Sequence, residues 1–193
     1  MRLKHFGLGV GLILFSASPT LALEPQKTFR QESESLVAHV NPEVMRILNE
    51  AIENNPDDPQ PYLQRGLAFN HLEAYQKALQ DFNQVIRLDP DNVDAYNFRG
   101  TMHYRLGNYQ QALADYNQAM KIDPDYALLY FNRGYAKVEL GNIESAIADF
   151  EKGANLSKQQ GDLNTYHQAQ ALIEKVKVSP ESIRPTPPSH SHD

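Results

Sequence analysis

A 34-residue repeat runs through residues 56–150 and constrains the fold more than any other feature of the sequence. Eight positions keep the same residue, or the same residue type, in three successive copies. They are Pro56, Pro90 and Pro124; Tyr62, Tyr96 and Tyr130; Arg65, Arg99 and Arg133; Gly66, Gly100 and Gly134; Leu72, Leu106 and Leu140; Ala78, Ala112 and Ala146; Asp81, Asp115 and Asp149; and the aromatic residues Phe82, Tyr116 and Phe150. A period of this length is typical of a chain that stacks one small structural unit on the next.

Each unit is predicted to be a pair of helices, and the middle copy indicates this most clearly. Apolar and aromatic side chains at helical spacing predict one helix over about residues 94–106 and a second over about 109–122. Gly107 and Asn108 between them suit a tight turn with positive φ. Pro124 ends the second helix, because the residue before a proline is disfavoured in the α region. The sequence therefore predicts an all-α fold.

With these columns the chain resembles the tetratricopeptide repeat (TPR) family, whose members are built from helix–turn–helix units. The resemblance implies an all-α, right-handed TPR solenoid with full repeats at 59–92, 93–126 and 127–160. Residues 42–58 resemble the second helix of an earlier, degraded repeat, and residues 161–178 are expected to form a C-terminal capping helix. These motifs are specific for the fold and nearly silent on the ligand.

The C-terminal end departs from the repeat pattern. Lys158 stands where the closing proline is expected, so the last repeat helix can run on. A further helix from about Leu163 to Val176 then follows, with an apolar stripe that includes Ala169 and Ile173. Its other side chains are polar, as expected of a helix that closes a solenoid against solvent.

Each arginine of the repeat is followed by an aspartate 16 residues later. The pairs are Arg65–Asp81, Arg99–Asp115 and Arg133–Asp149. Since each hairpin is expected to turn between its two helices, the side chains of a pair should meet across it, and a partly buried charge needs such a partner. We interpret these residues as structural ion pairs; a ladder of arginines that binds an anionic ligand is the alternative.

The TPR resemblance implies a concave groove lined by the first helix of each repeat. Helical spacing selects the side of these helices opposite the hairpin contact, and this side varies between repeats while the packing columns do not. The predicted partner-binding residues are Asn70, Asn97, Thr101, Tyr104, Arg105, Phe131 and Tyr135. Of these, Tyr104, Phe131 and Tyr135 are the expected anchors, because aromatic residues are frequent interface hot spots.

Two considerations limit this groove. An equally good explanation of its third-repeat end is that the large apolar side chains pack against the capping helix. These side chains are Leu128, Phe131, Tyr135 and Val138. Some TPR proteins grip a C-terminal carboxylate with lysine and asparagine, but the corresponding first-repeat positions here are Leu63 and Leu67, so that clamp is not expected. The sequence predicts a groove with an aromatic third-repeat end and a polar middle.

The N-terminus has the pattern of a secretory signal peptide. Arg2 and Lys4 precede an apolar run over residues 6–15, which is short for a membrane-spanning helix, and small residues follow. Cleavage is predicted after Ala22, so residues 1–22 are the signal peptide and residues 23–41 an N-terminal segment. An uncleaved signal that anchors the chain in a membrane is the alternative.

Charge and composition narrow the partners further. The formal net charge of -6 becomes -8 when the two basic residues of the signal are removed, and no basic patch is evident, so nucleic acid is not an expected partner. Cysteine is absent, so we expect neither a disulfide nor a lipoprotein anchor. Residues 179–193 contain four prolines and few large apolar side chains, which predicts a disordered tail.

The sequence predicts no catalytic, metal-binding or cofactor-binding arrangement. The expected function is a non-enzymatic protein–protein interaction module, exported to the periplasm or an equivalent lumen. It would act as an adaptor or assembly factor on a protein or peptide of unknown identity. The alternative is a self-associating structural component of a cell-envelope complex, and membrane contact is expected only if the signal is uncleaved.

Overall fold

The computed structural model describes residues 42–183, and every regular element in this range is helical. The helices are α1 (Pro42–Asn54), α2 (Pro59–His71), α3 (Tyr75–Leu88), α4 (Val93–Arg105), α5 (Tyr109–Ile122), α6 (Ala127–Glu139), α7 (Ile143–Gln159) and α8 (Leu163–Val178), followed by a 3₁₀ turn at Pro180–Ile183. The all-α prediction is confirmed for this part of the chain. The predicted signal peptide and the segment 23–41 lie outside the described residues, as does the predicted disordered tail from residue 184 onward. The start of that tail was predicted wrongly, because Pro180–Ile183 forms the 3₁₀ turn and Ile183 packs against the core of the third repeat.

The helices pack as successive hairpins. Helix α2 packs on α3, α4 on α5 and α6 on α7, and the hairpins join through the contacts of α3 with α4 and of α5 with α6. Helix α1 packs on α2 at one end, and α8 packs on α7 at the other. The first helices of neighbouring hairpins also contact one another. Helices α2, α4 and α6 therefore form a continuous surface, which we call the first-helix face.

Short polar side chains fix where three of the helices begin. Asp58, Asn92 and Asp162 each accept a hydrogen bond from a backbone N–H in the first turn of α2, α4 and α8 respectively. These bonds satisfy donors that a helix leaves without an internal partner. Tyr126 holds the same position before α6 and supplies no such bond.

The turns inside the hairpins require a residue with positive φ. Gly107 and Gly141 supply it in the second and third repeats, with φ of 76° and 77°. In the first repeat the same position is Glu73, which adopts φ 55°. A residue with a Cβ atom is disfavoured in this left-handed region, so the backbone at Glu73 is strained.

The two helices of each hairpin approach closely at a glycine. A Cβ atom added to Gly66 would lie 2.7 Å from Cε1 of Phe82, and the same contact joins Gly134 to Phe150. Both rings are fully buried, so they have little room to move. Only glycine at this position lets the ring of the second helix lie flat on the backbone of the first.

The last hairpin is longer than the others, as the lysine at position 158 predicted. Helix α7 has 17 residues, against 14 in α3 and in α5. As a result α8 begins two residues later than a strict 34-residue period would place it. Its apolar stripe is buried at Ala169, Ile173 and Val176, where it closes the hydrophobic core of the third repeat.

Candidate partner-binding face

The arginine and aspartate columns form the three ion pairs that the 16-residue spacing predicts. In the middle hairpin Arg99 donates from Nε to Asp115 Oδ2 (2.9 Å) and from Nη2 to Asp115 Oδ1 (2.5 Å). The same two bonds join Arg65 to Asp81 and Arg133 to Asp149. Two parallel bonds between a guanidinium and a carboxylate give both strength and a fixed orientation.

Each arginine also bonds an asparagine on the second helix of the preceding unit. The Nη1 atoms of Arg65, Arg99 and Arg133 donate to Oδ1 of Asn49, Asn83 and Asn117 at 2.7, 2.7 and 2.6 Å. The asparagines recur every 34 residues, so the sequence carries the signal, but each asparagine precedes its arginine by 16 residues and belongs to another unit, which a pairing rule within one hairpin does not predict. With Nε, Nη1 and Nη2 all engaged, the arginine column joins helices and does not offer a ladder for an anion.

Polar bonds also link the first helices of the second and third repeats. Asn132 Nδ2 donates to Asn97 Oδ1 (2.8 Å), and the Tyr104 hydroxyl donates to Glu139 Oε1 (3.4 Å). Thr101, between them on α4, donates to the Asn97 carbonyl (2.9 Å). The two bonds from Asn132 and Tyr104 join α4 to α6 and so define the middle of the first-helix face.

The structure leaves five of the seven predicted partner-binding residues at least partly accessible. Arg105 is exposed, and the other four are half-buried. These four are Asn70, Thr101, Tyr104 and Tyr135. All five lie on α2, α4 or α6 and therefore belong to the first-helix face.

Phe131 does not belong to the accessible surface, and its assignment as an anchor is wrong. The side chain is 1% exposed and packs in the core cluster that contains Ala169, Ile173 and Val176 of α8. Val138 is buried in the same cluster. Of the two explanations of the third-repeat end, packing against the capping helix is the one that holds for these two residues. The reason is that α8 needs an apolar surface on α6 and α7 to close the core.

Asn97 is also buried, with 2% of its surface exposed. Its carboxamide oxygen is held by Asn132 of the next repeat, so the side chain joins α4 to α6. A buried amide without such a bond would be costly, which explains why the polar residue is tolerated here. Asn97 is therefore a packing residue beneath the face and not a contact on its surface.

The tyrosines of the face stay protonated at any physiological pH. Burial raises the pKa of Tyr104 well above its ordinary value, and the nearby Glu139 carboxylate adds to the shift. Burial raises the pKa of Tyr135 to about 12. The ring of Tyr104 lies 5.4 Å from that of Tyr109, and Tyr135 meets Phe150 edge-on at 5.3 Å. These side chains can offer a partner ring surface and neutral hydroxyl groups.

Accessible apolar side chains lie in the first repeat as well as in the third, where Leu128 and Tyr135 are half-buried. Leu63 and Leu67 stand one turn apart on α2 and are only half-buried, beside Phe98 of α4. The corresponding third-repeat position to Leu63 is Phe131, which α8 has buried. The face therefore carries aliphatic side chains in the first repeat, polar and tyrosine side chains in the second, and Leu128 and Tyr135 in the third.

Residues 42–183 contain no cluster of three or more histidine, aspartate or glutamate side chains placed to hold a metal ion. In the same part of the chain, no helix is long and apolar enough to cross a membrane.

Two family models of known repeats match this part of the chain. A TPR repeat model matches residues 68–107 and 100–141, and a tetratricopeptide repeat model matches residues 127–160. Residues 68–160, just under half of the chain, therefore match models of tetratricopeptide repeats. No curated protein sequence matches the chain.

Solved TPR structures share this architecture. The TPR2B domain of yeast Sti1, in its complex with pHsp70, is 17% identical, with a TM-score of 0.60 over 62% of this chain and 96% of that one. The TPR domain of Arabidopsis OM64 is 27% identical, with a TM-score of 0.55 over 61% and 94%. PcrH, in complex with the chaperone binding region of PopD, is 21% identical, with a TM-score of 0.59 over 62% and 90%. These likenesses confirm the predicted TPR solenoid fold.

Proposed function

We propose that this TPR protein is a non-enzymatic adaptor that holds a segment of another protein on its first-helix face. The observation that carries the proposal is a contrast within the face itself. The residues that pack the hairpins recur in all three repeats, whereas Leu67, Thr101 and Tyr135, at one position of the accessible face, differ in size and polarity. A surface that is free of the repeat's packing rules can be shaped for a partner.

Structural neighbours support a protein or peptide partner. The yeast Sti1 domain is in a complex with pHsp70, and PcrH is in a complex with a region of PopD. The present face offers Leu63 and Leu67 where a carboxylate clamp would need lysine and asparagine. The proposed partner therefore inserts apolar side chains beside α2 and meets hydroxyl groups and Arg105 further along, and its C-terminus is not the element recognised.

A matched pair of charge reversals tests the face. The tagged chain is used to capture partners from an extracytoplasmic fraction, beside the Arg105→Glu variant on the first-helix face. Lys121→Glu is the control, because Lys121 is also exposed but lies on the second helix α5. A partner retained by the control and lost by Arg105→Glu supports the proposal. Equal retention by both variants would move the binding surface away from this face.

The compartment is the second part of the proposal. The basic start, the apolar run and the small residues before position 23 favour export to the periplasm or an equivalent lumen. There the protein would act as an adaptor or assembly factor. N-terminal sequencing of the mature protein tests this: a first residue at Leu23 supports export with cleavage, whereas an intact Met1 supports a membrane anchor.

The alternative function, a self-associating envelope component, has one observation in its favour. Val44 and Ile47 of α1 are 42% and 51% exposed. The equivalent positions in the first repeat are Ala78 and Asp81, which are buried between the two helices of the hairpin. A second copy that covered this apolar side of α1 would bury it. Light scattering decides, because a monomer at high concentration removes this alternative.

A further inference from the structure

His103 lies at the contact between the two helices of the middle hairpin, and its imidazole makes no normal hydrogen bond across that contact. It lies on α4, and its Nε2 atom is 4.0 Å from Asp115 Oδ2 on α5, too far for a normal hydrogen bond. Its Nδ1 atom is fully buried and has no hydrogen-bond partner. Among the described residues it is the one wholly buried side-chain nitrogen or oxygen in that condition.

The other two hairpins fill the same position with a lysine and a phenylalanine. In the third repeat Lys137 reaches Asp149 Oδ2 with its Nζ atom (2.7 Å) and donates to the Ser145 carbonyl (3.2 Å), so its charge is fully paired. In the first repeat the position holds Phe69, which packs in an apolar cluster. Of the three repeats, the middle one therefore places an imidazole against the arginine–aspartate pair that recurs in all of them.

Protonation at this site would put a new charge and a new N–H group where neither is accommodated. Both ring nitrogens of an imidazolium carry a hydrogen, so the buried Nδ1 is then necessarily a donor with no acceptor, and an unpaired buried donor is costly. The charged groups that act on the imidazole are Asp115 from α5, which attracts the proton, and Arg99 from α4, which repels it. In the third repeat the long side chain of Lys137 reaches Asp149 at 2.7 Å, whereas Nε2 of His103 stays 4.0 Å from Asp115, so an imidazolium here does not gain the pair that the lysine makes.

We propose that His103 makes the middle repeat an acid-sensitive joint, in which protonation of the imidazole loosens α4 against α5. The turn of α4 that carries His103 also carries Thr101, Tyr104 and Arg105, so the first-helix face would change with it.

The direction of the effect follows from the burial of the group. Burial is the largest cause that lowers the pKa of His103 in the folded protein; Asp115 opposes the shift and Arg99 adds to it. The unfolded chain then binds the proton more tightly than the folded one. Stability is therefore highest above the ordinary imidazole pKa of about 6.5 and falls as the pH drops through that value.

Urea unfolding of the full chain at about pH 7.5 and about pH 5.5, on either side of the ordinary imidazole pKa, tests the joint. His103→Phe and His103→Lys install the residues of the first and third repeats. His167→Asn, at an exposed histidine of α8, is the matched control. The wild type and the control should lose more of their unfolding midpoint in acid than the two His103 variants do.

Hydrogen exchange at the two pH values, corrected for the intrinsic rate, then locates the effect. Acid should speed exchange in α4 and α5 of the wild type more than in α2 and α3, and the His103→Lys variant should lack this difference. An acid-induced loss of the same size in the wild type and in both His103 variants overturns the proposal. So would faster exchange spread evenly over all three hairpins.

Discussion

Gly100 lies so close to Tyr116 that a Cβ atom on the glycine would come within 2.7 Å of the tyrosine Cε1 atom. Alanine at this position would gain about 1 kcal/mol of intrinsic helix preference. It would also force the buried ring or the helix backbone to shift, and overpacking of this kind costs about 1–3 kcal/mol. We expect Gly100→Ala to lower the urea midpoint, and the double variant Gly100→Ala/Tyr116→Leu to recover part of the loss. A midpoint above the wild-type value would contradict the close contact.

Glu73 offers the opposite change. It adopts φ 55° at the turn position that Gly107 and Gly141 occupy in the other repeats. Relieving a left-handed conformation is worth roughly 1–2 kcal/mol. Glu73→Gly should therefore stabilise the protein by about 1 kcal/mol, once the greater freedom of glycine in the unfolded chain is included. Gly107→Glu is the reciprocal control and should destabilise, because open space around Gly107 leaves backbone strain as the main effect.

The Arg99–Asp115 pair should show strong coupling in a double-mutant cycle. Replacing Arg99 by leucine leaves the buried carboxylate of Asp115 without its partner, and a broken buried pair costs about 3–5 kcal/mol. The double variant Arg99→Leu/Asp115→Leu removes both charges and should be clearly more stable than Arg99→Leu. Unfolding free energies that simply add would show that the two side chains are independent.

Substitution of Phe131 tests whether this residue packs in the core or binds a partner. Because it is buried against α8, Phe131→Ala should cost about 3–5 kcal/mol of stability, the usual loss for a large aromatic side chain in a core. Arg105→Glu, on the exposed part of the same face, should change the thermal midpoint little. If Phe131→Ala left stability unchanged and removed only partner binding, the anchor role first expected for it would be restored.

The accuracy of the sequence analysis followed the distance between interacting residues along the chain. The pairing of Arg99 with Asp115 was predicted, because both side chains lie in one hairpin and recur with it. The role of Asn83 was missed, since its partner Arg99 belongs to the next repeat. The burial of Phe131 was left open, because it depends on α8, whose start is displaced from the period and whose packing no repeat column records.

The face was predicted in outline and not in detail for the same reason. Helical spacing selects the correct side of α2, α4 and α6 from the sequence alone. The degree of burial of each side chain depends on which residues of the next first helix pack against it. Asn132 bonds Asn97, which is buried, whereas Leu63 and Leu67 stay half-buried.

Because of the asparagine–arginine–aspartate chain, the arginine of each repeat stabilises two units and not one. Each guanidinium is fastened at the same time to the second helix of its hairpin and to that of the hairpin before it. A middle repeat that unfolds alone therefore breaks the arginine–asparagine bonds to the repeats before and after it, and each neighbour loses a hydrogen-bond partner. Such an array should melt as a single cooperative block with a steep transition, whereas repeats joined only by apolar contact can fray one by one from an end.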